Sequence, residues 1–258
     1  MIKRALARAT DTKACRIGDG VLNDTVAYLR EFFPGASRVI VVEDPRTRAA
    51  AGERVAEMLR AAGVEVVEHV LEPGGKTFHA DYRYVDEVRE AIKAAEAGNG
   101  ERIPRAKRVA EGDALAGVGT GNGRIVPVAV GSGVVNDLTK RAAGELGLPY
   151  LTVGTAASVD GYSSFGAALR SPEGAKQTYP CPAPRAIVAD LDVMRTAPKW
   201  MAASGFADLM AKVPAGADWI LAYELGASEW HDSAWHTVQD GLKEAIGDPE
   251  GVDRKSVV

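Results

Sequence analysis

The stretch "VPVAVGSGVVNDLTKRAA", residues 126–143, places a Gly-Ser-Gly turn between a β-branched apolar run and a segment with helical spacing. A run of this kind reads as a buried strand, and the segment after it as a helix over Val134 to Leu146. The same order recurs on both sides. "SRVIVVED" (37–44) is a β-branched strand, and "PRTRAAAGERVAEMLRAAG" after it is helical, with Gly63 as its C-cap. "VEVVEHV" (64–70) is a strand. "DYRYVDEVREAIKAAEAG" (81–98) has the spacing of a surface helix with a charged outer face. "IVPVAV" (125–130), "YLTVG" (150–154) and "RAIVAD" (185–190) add three buried-type strands. Strands alternating with helices predict an α/β fold, a mainly parallel sheet covered by helices on both faces.

Two segments break the alternation. Residues 98–124 lose periodicity and read as a surface insertion or irregular excursion containing "GVGTGNG". From about Ala197, "APKWMAASGFADLMAKVPAGADWILAYELG" has apolar residues at helical spacing and no strand run. The expected organisation is therefore an α/β domain over 1–196 and the start of an all-helical domain over 197–258. Apolar helix faces such as "ADWILAYEL" (217–225) invite association, so a homo-oligomer is possible.

Composition removes several classes of function. The 258 residues suit one large or two small domains, and 46% hydrophobic with 26% charged residues is an ordinary globular balance. Thirty-one Lys and Arg against 35 Asp and Glu give a net charge of −4, without the basic footprint of a nucleic-acid binder. Cys15 and Cys181 form no CxxC pair, which argues against a disulfide framework or a cysteine zinc site. No membrane span or signal-peptide apolar region is visible, and the expected location is the cytoplasm.

A glycine turn between a parallel strand and a helix lets backbone N–H groups approach phosphate oxygens, with the helix dipole adding positive potential. Taken alone, such a turn is more often just a tight connection. The GxGxxG fingerprint fails, because its third glycine would fall at Asn136 and no acid lies about 20 residues downstream. The next strand favours a site. "LPYLTVGTAASVDGYSSFGAAL" (148–169) sets Thr155, Ser158, Asp160, Ser163 and Ser164 just beyond it, at the strand end where α/β sheets bind ligands. Each residue singly could be a turn former.

The collinear order "GSGVVNDLTK", "LPYLTVGTAASVDGYSS", "PRAIVADLDVM" and "APKWMAASGFADLMAK" resembles the sn-glycerol-1-phosphate dehydrogenases. These belong to the superfamily of iron-containing alcohol dehydrogenases, glycerol dehydrogenases and 3-dehydroquinate synthases. TAAS-x-DG with the downstream GFAD is the most specific part. The resemblance implies NAD or NADP, one divalent metal (zinc, nickel or iron), and reversible hydride transfer between dihydroxyacetone phosphate and sn-glycerol 1-phosphate, in phospholipid metabolism. It implies that Gly131, Ser132, Gly133, Val134 and Val135 cradle the pyrophosphate and that Thr155, Ala156, Ala157 and Ser158 line the dinucleotide. Asp44 in "VVEDPRT" would meet the adenosine ribose, and Ser164 the nicotinamide side. Asp160 would contact the phosphorylated three-carbon substrate. Asp208 would bind both metal and substrate. A metal acting as Lewis acid stabilises the alkoxide that expels hydride, which suits a carboxylate ligand there.

The family pattern also needs two histidine ligands farther along than this chain extends, so the expectation is a C-terminally truncated form, inactive alone. His231 and His236 lie five residues apart, about 140° around a helix, and match neither histidine motif. They read as surface or interhelical residues. Lys176 is a candidate phosphate ligand or a solvated loop residue. The alternatives are a non-catalytic nucleotide-binding module, another polyol dehydrogenase of the superfamily, or a dehydroquinate-synthase-like lyase, against which TAAS-x-DG speaks.

Overall fold

The computed structural model describes residues 2–73, 78–97 and 125–248. In chain order the elements are α1 (Ile2–Leu6), β1 (Ala14–Gly18), α2 (Asp24–Phe32), β2 (Arg38–Glu43), α3 (Pro45–Thr47), α4 (Glu53–Ala61), β3 (Glu65–Val70), α5 (Tyr82–Ala97), β4 (Ile125–Gly131) and α6 (Gly133–Leu146). There follow β5 (Leu151–Gly154), β6 (Ala167–Arg170), β7 (Lys176–Tyr179), β8 (Ala186–Asp190), α7 (Leu191–Met194), α8 (Lys199–Met210), α9 (Lys212–Glu224), α10 (Asp232–Gln239) and α11 (Leu242–Gly247). The excursion expected over 98–124 lies outside the described residues.

Six strands form one sheet in the order β1-β8-β5-β4-β2-β3, every neighbouring pair parallel. The central strands are apolar on both faces because both are covered. Val39 and Val41 of β2 pack with Leu29 of α2 and with Val55 and Leu59 of α4. Ile40 and Val42 pack on the opposite face with Val88 of α5 and with Leu138 and Ala142 of α6. Gly63 and Gly147 follow α4 and α6 in the left-handed region, at φ 82° and 67°, where glycine carries no Cβ penalty.

Three features were not anticipated. β1, "ACRIG", is an edge strand defined by its partner: Ala14 pairs with Ala186 and Gly18 with Asp190. Side chains secure that junction, since the Thr12 hydroxyl donates to Pro184 O at 2.7 Å and Leu22 N donates to Asp190 Oδ2 at 2.8 Å. β6 and β7 form a separate antiparallel hairpin. Between α3 and α4 the helix widens to a π turn over Arg48–Gly52, a local form that recurs at functional sites.

The chain order reverses between two central strands. From β2 the path goes out to edge strand β3, then returns to the other side of β2 as β4. The carboxyl ends of β2 and β4 thus bound the crevice where open α/β sheets bind ligands. After β8 and α7, the helical segment expected from the sequence is present as α8–α11. Pro214 lacks the N–H that would have bonded Met210 O, and the helix accordingly breaks at Ala211 between α8 and α9.

Candidate functional site

At the carboxyl end of β4, Gly131 leads to Ser132, the N-cap of α6, held extended at φ −96° and ψ −160°. The serine side chain makes no capping hydrogen bond, and the first backbone bond back to the turn is Asn136 N to Ser132 O at 3.0 Å. The N–H groups of Gly133, Val134 and Val135 therefore head a 14-residue helix without a side-chain cap. Ser132, Gly133 and Val134 are part-exposed and Val135 is buried. The two glycines also have packing roles. A Cβ at Gly131 would lie 2.5 Å from Val135 Cβ, and one at Gly133 would lie 3.2 Å from Val159. Close helix–strand approach at Val135 by itself requires glycine at 131.

Across the crevice, Asp44 follows β2. Its Oδ1 accepts from Arg46 N at 2.8 Å and Thr47 N at 3.0 Å, while Asp44 N donates to Thr47 Oγ1 at 3.0 Å. This capping box, with Pro45 at the first helical position, fixes the carboxylate in place. Beside it Glu43 is wholly buried. Neither of its oxygens accepts a hydrogen bond, and Arg48 Nε stands 3.5 Å from Oε1. Burial, with a smaller contribution from Glu68, pushes its carboxyl up to about 7. A Cβ at Gly52 would fall 1.6 Å from Glu43 Oε2, so glycine in the π turn makes room for this carboxyl.

The loop after β5 carries the third wall. Thr155 N donates to Gly131 O at 3.2 Å, and the Tyr162 hydroxyl donates to Ala156 O at 2.8 Å with Gly131 O 3.3 Å away. Thr155, Ala156 and Ser158 are buried and Ala157 is part-exposed. Helix α8 meets this loop at Gly205, where a Cβ would come within 2.0 Å of Ala157 O. One turn on, Asp208 Oδ2 accepts from Asp160 N at 2.9 Å. Asp160 Oδ2 pairs with Lys212 Nζ at 2.5 Å. Asp160, Asp208 and Lys212 thus form one cluster. The exposed Ser164 lies at the far end of the loop, its hydroxyl donating to Gly161 O at 2.8 Å.

Lys212 and Glu43 were not anticipated, nor was Lys140, which is fully buried and donates to Gly161 O and Gly166 O at 3.1 Å each. For Lys212 no local signal was available, because its partner Asp160 lies on a distant loop rather than on its own helix. For Lys140 the available signal was the Asp137–Lys140 spacing of three on α6. Lys176 is an exposed residue of β7. His231 and His236 are both exposed, and His236 Nδ1 lies 2.9 Å from Asp240 Oδ1. Among the described residues no group of three His, Cys, Asp or Glu side chains converges to hold a metal ion. Asp208 offers a single carboxylate, so the described residues do not form a complete divalent-metal site. No helix among them is long and apolar enough to cross a membrane.

The family profile described as iron-containing alcohol dehydrogenase matches residues 16–198. The NAD(P)+ glycerol-1-phosphate dehydrogenase of Halalkalibacterium halodurans is 31% identical over 228 residues, covering 88% of this chain and 49% of that protein. The Thermofilum pendens protein of the same name is 33% identical over 222 residues, covering 86% of this chain and 53% of its own length. A glycerol dehydrogenase structure from Schizosaccharomyces pombe superposes with a TM-score of 0.57 at 21% identity, covering 79% of this chain and 43% of that one. The chain spans about half the length of the curated relatives it matches.

Proposed function

Because the chain belongs to the iron-containing alcohol dehydrogenase family, we propose that it is an oxidoreductase that binds NAD or NADP across the β2/β4 crevice and acts on dihydroxyacetone phosphate or sn-glycerol 1-phosphate. The observation that carries this reading is the convergence of three elements at one end of the sheet. They are the α6 N-terminus without a side-chain cap, the fixed carboxylate of Asp44, and the Asp160–Asp208–Lys212 cluster.

The bound nicotinamide would supply the hydride acceptor or donor. The N–H groups of Gly133, Val134 and Val135 hold the pyrophosphate, where the helix dipole favours negative charge. Asp44, with Oδ1 held by its own helix, would offer its other oxygen to the ribose hydroxyls of the adenosine half. The loop after β5 would hold the nicotinamide half. Thr155 to Ser158 form the floor, with Ser164 on the nicotinamide side. Asp160 receives a substrate hydroxyl. Lys212, already beside Asp160, supplies the cation for the substrate phosphate, a role for which Lys176 is less suited on the exposed hairpin. Asp208 holds the Asp160 backbone and would offer a divalent metal one carboxylate donor. The two free cysteines suit a reducing compartment such as the cytoplasm.

The test is titration of the purified chain with NADH and NADPH, followed by nicotinamide absorbance after dihydroxyacetone phosphate and zinc, nickel or ferrous ion are added. Saturable dinucleotide binding is expected, competed by ADP-ribose. Absence of binding for both dinucleotides overturns the proposal.

A further inference from the structure

We propose that Lys140, together with Asp137, is a positioning residue that fixes the loop over 161–166 as the nicotinamide-side wall of the crevice; the proposal rests on the dinucleotide reading above. A lysine ammonium is among the groups least often fully buried, because desolvation is repaid only by complete hydrogen bonding or pairing. Lys140 has no exposed surface. Its Nζ is 3.1 Å from Gly161 O, 3.1 Å from Gly166 O, 3.3 Å from Ser164 Oγ and 3.3 Å from Asp137 Oδ1. The three N–H donors of an ammonium are thus fully occupied, and two of the acceptors are carbonyls at the two ends of one short excursion.

Asp137 adds a second fastening, its Oδ2 accepting from Ala168 N at 3.1 Å. Burial raises its carboxyl, while Lys140 and the Ala168 amide hold it down. The excursion closes at Gly166, whose φ of 91° only glycine adopts readily, and whose N donates to Cys181 O at 2.8 Å. An apolar side chain would fill the same space in α6 without the desolvation cost. What the ammonium adds is a fixed position for both ends of the loop.

That position matters because of the helix that carries it. The N-terminus of α6 presents Gly133 to Val135 to the crevice, and two turns later the same helix presents Lys140, about 10 Å along its axis. Pyrophosphate turn and loop are thereby set at one distance by a single rigid element. With Asp44 drawing the adenosine half toward β2, the other half meets the loop held by Lys140, on the β5 side of β4. Removing the ammonium frees that wall and leaves the turn, the capping box and the sheet intact.

Lys140→Met in the full chain is therefore expected to separate the two halves of the dinucleotide. ADP-ribose, which lacks nicotinamide, should bind within about twofold of the parent, while NADH weakens about tenfold or more through loss of contacts made only by its other half. Amide exchange at Ser164 and Gly166 should accelerate. If Lys140→Met does not fold, Gly166→Ala decides by the same criterion, because a Cβ there meets Thr178 at 3.0 Å and strains the loop while Lys140 stays in place. Unchanged NADH affinity, or equal loss of NADH and ADP-ribose affinity in a folded variant, overturns the positioning role alone. A parent chain that binds neither molecule overturns the dinucleotide reading and this proposal with it.

Discussion

Gly205→Ala tests the join between the helical segment and the sheet. The added Cβ would stand 2.0 Å from Ala157 O and 2.9 Å from Ala157 C, whereas real Cβ contacts stay beyond 3.0 Å. Both obstacles are backbone, so no flexible side chain can yield, and α8 must retreat by about 1 Å. Overpacking of this kind costs about 1–3 kcal/mol. Against it, replacing a helix-interior glycine by alanine gains about 1 kcal/mol of helix propensity. The expected net loss is therefore about 0–2 kcal/mol, which at about 2–4 °C per kcal/mol makes a global melt a weak discriminator. The local signal is sharper. A retreat of about 1 Å carries Asp208 Oδ2 from 2.9 Å to about 3.9 Å from Asp160 N, outside hydrogen-bond range. Amide exchange at Asp160, read by NMR or mass spectrometry, should accelerate in Gly205→Ala even where the midpoint barely moves. A variant stabilised by about 1 kcal/mol, the full propensity gain, with Asp160 protection unchanged would refute the close approach.

Three further perturbations follow from the same geometry. Gly133→Val brings a branched side chain against Val159 and over the α6 N-terminus, so NADH affinity should fall about tenfold or more; equal affinities by calorimetry would contradict the phosphate cradle. Glu43 has a folded-state pKa raised from 4.5 to about 7, so its neutral form is the favoured one: its contribution is most favourable below about 4.5 and is lost as pH rises through about 7. The urea midpoint of the parent relative to Glu43→Gln should accordingly drop across that window, and parallel pH profiles would rule out the raised carboxyl. Asp160→Asn removes the ion pair with Lys212 but keeps the backbone bond to Asp208, so NADH affinity should hold while dihydroxyacetone phosphate binding changes, and equal changes in both would mean that Asp160 is wrongly placed.

What could be read in advance divides along physical lines. β2, β4, β5 and β8 were legible because a strand covered on both faces must be apolar throughout, and "RVIVVE" carries that mark except at Arg38 and Glu43. β1 was not, since "ACRIG" has mixed character and becomes a strand only through β8, 172 positions away in register. The hairpin strands "AALR" and "KQTY" are short, and most of β7 is exposed, which leaves little apolar pattern to read. The glycine turn and the polar loop after β5 pointed to the crevice from local chemistry. Asp44, Asp208 and the substrate role of Asp160 came from the resemblance, and Asp160 and Asp208 meet across 48 positions of chain. Lys140 and Lys212 escaped notice because an isolated lysine on a helix reads as solvated. Only the fold decides whether backbone carbonyls or a carboxylate wait at its tip.

The pairing of β1 with β8 has a kinetic consequence. Every strand of the sheet is parallel, so none can form by a local hairpin, and β1 has no partner until β8 has been made and has docked on β5. In an unfolded chain, closing Ala14 directly onto Ala186 would carry a chain-closure entropy of about 5 kcal/mol with no other contact to compensate, which favours building the intervening sheet first. Pairings this distant slow folding, and here the most N-terminal of the described strands is the last that can join. Until then the edge of β8 stands open, and its backbone ladder is available to any other extended segment. The hydrogen bonds from Thr12 to Pro184 and from Leu22 to Asp190 then act as a latch on that final step. Weakening the latch should lengthen the interval in which a half-finished sheet is open to mispairing, even where the stability of the finished protein hardly changes.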